Sequence, residues 1–142
     1  MGLGVVAVLL VRPRRVSVEG ESMMPSLAPG DRLLVLNLGG ARPGDIVALH
    51  DPDQVGRLLV KRVATVGPVG VEVLGDNATA SRDSRRFGPV PPSLLLGRAV
   101  YRYFPSARAS SLRHLGVSGG TLSRDGPAPR GHRPAAGGRA DQ

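Results

Sequence analysis

Turn-forming residues punctuate this chain so densely that long helices have no room between them. Its 142 residues include 20 glycines and 13 prolines. Glycine costs backbone entropy inside a helix, and proline lacks the N–H that the helix needs. What lies between the turns is short and β-rich. Arg32–Leu36 follows the turn Ala28-Pro29-Gly30-Asp31, and Asp45–Leu49 follows Arg42-Pro43-Gly44. Arg57–Ala64 comes next, then Gly70–Leu74, which ends at Gly75-Asp76-Asn77. Leu94–Tyr103 is the last apolar segment and reads as a strand. The expected fold is mainly β. Several of these runs are almost continuously apolar, which implies cover on both faces or contact with lipid.

The length supports one domain with a short appendage. Residues 1–15 read as a short apolar and basic N-terminal segment, and 16–105 as the folded domain. Residues 106–142 read as a disordered Arg/Gly/Pro/Ala-rich tail, with Pro105 as the boundary. Within that tail, Ser110–Leu115 permits a short helix. Gly2–Val11 is an apolar run of ten residues closed by Arg12-Pro13-Arg14-Arg15. A spanning helix needs about 20 apolar residues, and the run lacks the basic start and small-residue cleavage site of a signal peptide. Three readings stay open: a core strand, an interfacial anchor, or the end of a longer transmembrane helix.

The net charge is +8, but residues 106–142 contribute six arginines against Asp125 and Asp141. Half of the excess therefore sits in the tail. Only two Tyr and two Phe are present, with no Trp, so the aromatic platforms that single-strand binders interleave with basic residues are missing. No nucleic-acid partner is expected. There is no cysteine, which removes disulfides, thiolate metal sites and thiol catalysis together. No cofactor or metal is expected either.

The chemistry centres on Glu19-Gly20-Glu21-Ser22-Met23-Met24-Pro25-Ser26-Leu27, a serine in a loop just after the strand-like Val16-Ser17-Val18. A serine hydroxyl is a weak nucleophile until a base takes its proton. His114 and His132 fall in the tail, and His50 has no triad-like motif around it. Of 19 basic residues, 18 are Arg and one is Lys61. Arginine stays protonated, whereas a desolvated lysine can lose its proton and act as a base. Ser–Lys pairs are an established variant of the Ser–His–Asp logic. Lys61 stands between Leu58-Leu59-Val60 and Val63-Ala64, a setting suited to desolvation.

Four ordered motifs then resemble the signal peptidase I family of Ser/Lys endopeptidases. Ser22-Met23-Met24-Pro25-Ser26-Leu27 with Pro29-Gly30-Asp31 is similar to the family's nucleophile box, and Gly44-Asp45-Ile46-Val47 to the next. Lys61-Arg62-Val63 resembles the general-base box. Gly75-Asp76-Asn77 with Ser81, Asp83, Ser84 and Arg85 resembles the last. The resemblance spans residues 16–105 and implies a compact, largely β catalytic fold. It implies Ser22 as nucleophile and Lys61 as general base, with Ser81 holding the Lys61 amine. It also implies an Asp83–Arg85 ion pair, Asp76 fixing the loop, and the Ser22 N–H as an oxyanion donor.

Two departures accompany it. Many bacterial members carry a hydroxyl residue two places before the nucleophile as a second oxyanion donor, and here that place is Gly20. Losing such a donor can cost roughly 10²–10³ in rate. Only Ala64–Leu74 separates the last two boxes, so the large β insertion of long members is absent. The compact form resembles the mitochondrial inner-membrane peptidases and the nickel-type superoxide dismutase maturation proteases. The implied function is removal of an N-terminal leader from a precursor protein, with the nickel-type superoxide dismutase precursor as the favoured substrate. A general signal peptidase for secreted preproteins is the alternative. The implied location is the bacterial cytoplasmic membrane, with a soluble cytoplasmic enzyme as the other option. Two rivals are a self-cleaving repressor-type Ser/Lys protease, for which no helix-turn-helix precedes Ser22, and a non-catalytic β-module with a basic binding tail.

Overall fold

Turn signals separate the strands of this chain. The computed structural model describes residues 12–112 of the chain. Its strands are β1 (Arg14–Ser17), β2 (Arg32–Leu36), β3 (Ile46–His50), β4 (Leu58–Gly67), β5 (Gly70–Leu74), β6 (Leu95–Phe104) and β7 (Ser110–Ser111). They form one sheet in the order β1-β2-β6-β3-β4-β5, with β7 added alongside β6. Every pairing is antiparallel. Helix among the described residues is confined to Ser84–Phe87 and short 3-10 turns.

The core explains the continuous apolar runs. Ile46 through Leu49 of β3 are all buried. Ile46 and Ala48 join one apolar cluster with Val16, Met23, Leu27 and Leu33, while Val47 and Leu49 join a second with Val63, Val71, Val73 and Val90. Successive strand residues point to opposite faces, so β3 is covered on both. Each fully buried Leu, Ile or Val contributes about 1.5–3 kcal/mol, and this small aliphatic core uses few aromatics.

Two expected boundaries move. Arg14 and Arg15, assigned by the sequence to the N-terminal segment, belong to β1 and pair with Val35 and Leu34. The expected domain end at Pro105 falls short. Ser110 and Ser111 pair with Arg102 and Tyr101, and Leu112 is 5% exposed within the first apolar cluster. Polar, period-free sequence concealed this because Arg108, Ser110 and Leu112 are held by distant partners rather than by local pattern. Ser110–Leu112 is accordingly strand and buried coil where a short helix was allowed. The apolar run at residues 2–11 and the remainder of the tail lie outside the described residues. Among the described residues, no helix is long and apolar enough to cross a membrane.

Candidate active site

Ser22 lies on the connection between β1 and β2. Val18 and the Gly30–Asp31 turn close that loop at its base, with Val18 N–H donating to Asp31 O at 2.8 Å and Gly30 N–H to Val18 O at 2.9 Å. Inside it, Leu27 N–H donates to Met23 O at 2.9 Å, so Ser22 opens a helix-like turn. Met23 and Leu27 are 1% and 0% exposed. They are core anchors for the turn, while Met24 faces outward. Ser22 itself is half-buried. Its hydroxyl and its backbone N–H have no hydrogen-bond partner among the described residues.

Lys61 reaches the same place from β4, where it pairs with the buried Val47 of β3. It is 3% exposed. Burial lowers its pKa from the ordinary lysine value, and the cations of Arg57, Arg82 and Arg85 act in the same sense, while Asp83 opposes them. Its amine donates to Ser81 Oγ at 3.1 Å. Ser22 and Lys61 line one cavity of about 130 Å³, walled also by Gly20, Val60 and Arg82.

Ser81 is held in turn. Its hydroxyl donates to Asp83 Oδ2 at 2.7 Å. The same Asp83 carboxylate accepts from the Gly75 N–H at 2.8 Å and from Arg85 Nη2 at 2.5 Å. Burial works against ionising Asp83, but the bonds from Arg85, Gly75 and Ser81 outweigh it and hold its pKa far below the usual carboxylate range. Gly75 passes between the two halves of the site: a Cβ there would lie 2.1 Å from Ser81 Oγ and 2.7 Å from Ser22 O. A buried lysine that can lose its proton beside a hydroxyl in a shared cavity is chemically equipped for serine acylation.

A family model described as signal peptidase, peptidase S26, matches residues 1–73 and 70–104. The chain belongs to the signal peptidase family. It is a serine endopeptidase of the type that removes leader peptides. The Arabidopsis thaliana mitochondrial ATP-independent inner membrane protease subunit 1a is 37% identical over 123 residues, covering 68% of this chain and 73% of the relative. Subunit 2 of the Schizosaccharomyces pombe mitochondrial inner membrane protease is 33% identical over 127 residues, with 70% and 69% covered. A probable signal peptidase I-1 from Synechocystis is 26% identical over 143 residues, with 67% and 73% covered.

In this signal peptidase the tight β4–β5 hairpin does what the short spacing requires. Arg62 pairs with Leu74, so the Gly75-Asp76-Asn77 turn comes back beside Lys61 and Arg62. Arg62 then donates to both oxygens of Asp76 at 2.9 Å, and Ser26 Oγ donates to Asp76 Oδ2 at 2.6 Å. Burial disfavours the Asp76 carboxylate, yet the bonds from Arg62 and Ser26 leave its pKa lowered. Asn77 N–H donates to Ser22 O at 2.8 Å, and its side chain to Glu21 O at 3.2 Å. Asp76 and Asn77 thus tie the base strand to the serine loop.

Sequence reasoning named Asp76 without its partner and overlooked Arg62, Ser26 and Asn77 as links. Their signal was present in the boxes themselves, since Arg62 adjoins Lys61, Asn77 adjoins Asp76, and Ser26 shares the box of Ser22. Arg102 lies outside every box and carried no such signal, although its partner Asp31 ends the nucleophile box. Arg102 Nη1 donates to Ser26 O at 3.1 Å and to Asp31 Oδ2 at 3.2 Å, holding the far end of the serine loop. Arg108 adds a bond to Asp31 Oδ1 at 3.3 Å. Gly20 has φ +70° with nothing within 4 Å of a Cβ, and it provides no side-chain donor to the cavity. His50 is exposed at the end of β3 and is not among the cavity's lining residues. Among the described residues, no group of three or more His, Asp or Glu side chains could hold a metal ion.

Proposed function

We propose that Ser22 is the nucleophile and Lys61 the general base of this endopeptidase. The supporting observation is the buried Lys61 amine, bonded to Ser81 and sharing a cavity with Ser22. Neutral Lys61 takes the Ser22 proton as Oγ attacks the scissile carbonyl, and the Ser22 N–H stabilises the oxyanion. Lys61 then returns that proton to the leaving amine, releasing the mature protein and leaving the leader as an acyl-enzyme. Water, deprotonated by Lys61, hydrolyses the ester and frees Ser22. Ser81, Asp83, Arg85 and Asp76 serve this pair by holding the amine and its loop.

The nickel-type superoxide dismutase precursor is the first substrate to test, on the resemblance of the sequence to that compact form. The relatives named above give it no support, and secreted preproteins are the alternative. Two of those relatives are named as inner membrane proteases, which supports work at a membrane surface. The test is cleavage of both precursors by the full chain, read by N-terminal sequencing, beside Ser22→Ala and Lys61→Ala. Both variants should fold and cleave nothing; near-normal turnover by Lys61→Ala would end the dyad assignment. Cleavage of only one precursor decides the substrate class.

A further inference from the structure

Three consecutive residues lock the segment that carries Ser81, and the middle one, Arg82, also walls the cavity lined by Ser22 and Lys61. Ser81 and Asp83 both have extended backbones, at φ −113° and −146°. Ser81 and Asp83 bond each other, while Arg82 between them reaches the β3–β4 turn. There its guanidinium bonds Asp51 Oδ2 through Nη2, and Asp53 Oδ2 at 3.1 Å through Nη1. Asp51 directly follows β3, and its side chain is 0% exposed. Asp51 Oδ1 already accepts from the Asp53 N–H at 2.9 Å, so the carboxylate organises the β3–β4 turn. Arg57, half-exposed and 4.0 Å away, is a weaker counter-ion.

We propose that Arg82 is a positioning residue for this reaction, a strut that fastens the Ser81 segment to the β3–β4 turn and keeps a cation facing Lys61. This rests on the Ser22–Lys61 reading above. β4 begins at the end of that turn, so the strut joins the two elements that must stay in register for Ser81 to meet Lys61. Without it the Ser81 segment keeps the Asp83 bonds on one side and the Asn77 turn on the other, with nothing tying it to the β3–β4 turn. The charged groups around Lys61 are Asp83, Arg57, Arg82 and Arg85, with Glu19 and Glu21 on the cavity wall. Asp83 favours the protonated amine, and Arg82 is one of the cations that offset it.

The experiment is the acylation burst of the full chain with p-nitrophenyl acetate, measured against pH for wild type, Lys61→Ala, Arg82→Lys and the double variant Arg82→Gln/Asp51→Asn. The double variant removes both charges together, so no buried carboxylate is left unpaired. Its burst rate should fall by about ten- to a hundredfold, as displacement of a catalytic group does, and its acid limb should move to higher pH. Arg82→Lys keeps the cation but not the two-pronged fork, so its limb should stay in place while its rate falls. An unmoved limb in a folded double variant overturns the inference and leaves the dyad standing. So does a wild-type rate for Arg82→Lys, which remains decisive if the double variant does not fold. A surviving burst in Lys61→Ala overturns the dyad and the strut with it.

Discussion

Lys61 Nζ and Ser81 Oγ lie 3.1 Å apart although twenty positions separate them in the chain. The β4–β5 hairpin makes this contact, because it turns the chain back so that the residues after β5 run beside the base. The lysine is buried by the sheet it belongs to and aimed by the loop that follows.

Gly75 is the narrowest point of that arrangement. Gly75→Ala would drive a methyl group into Ser81 Oγ and the Ser22 carbonyl. Acylation of Ser22 should fall at least about a hundredfold, the scale of a 1 Å misplacement. Mass spectrometry of the acylated chain reads this directly, and an unaffected rate would mean that the gap between the two segments is not needed.

Acid should act on rate and stability through different groups. With Lys61 as the proposed base, the acylation rate should rise with pH through a group whose pKa lies below the ordinary lysine value. In the interval between that lowered pKa and the ordinary one, the unfolded chain binds more protons, so stability also rises with pH there. Asp83 has the opposite origin. Its depressed pKa stabilises the fold above the usual carboxylate range of about 4, and the gain is lost as pH falls through the lower folded value. Thermal unfolding from pH 7 downwards should show the midpoint dropping below about pH 4, and Asp83→Asn should flatten that drop.

Arg62 and Asp76 are an ion pair with side chains only 8% and 13% exposed. Asp76→Ala leaves the guanidinium buried without its anion and should cost about 3–5 kcal/mol in urea unfolding. Replacing both by apolar residues should recover part of the loss. A double variant whose loss equals the sum of the two single losses would show that the pair contributes no mutual stabilisation.

Leu112 tests where the domain ends. It packs against the first apolar cluster at 5% exposure, so Leu112→Ala in the full chain should lose about 2–5 kcal/mol. A change within about 0.5 kcal/mol, as at an open surface site, would return the boundary to Pro105.

Much of this was legible in the residues themselves. Gly and Pro spacing excludes long helices and predicts the strands, because turn preference is local chemistry. Leu94–Tyr103 was placed within one residue of β6, Leu95–Phe104. Ser22 and Lys61 stood out because one loop serine and a single lysine among 18 arginines are visible without coordinates. The domain's end was not visible, since Arg108 and Leu112 are fixed by Asp31 and the core rather than by periodicity.

What the sequence determined by itself is a set of residue types in order: turns, short apolar strands, a loop serine and a single lysine among arginines. Only the tertiary structure decided which groups meet. Strand register set Arg62 opposite Leu74 and so delivered Asp76 to it, and hairpin closure brought Ser81 to Lys61. Burial of Lys61 within the sheet disfavours its charge. Desolvation depends on everything packed around a group, which no local pattern of residues contains.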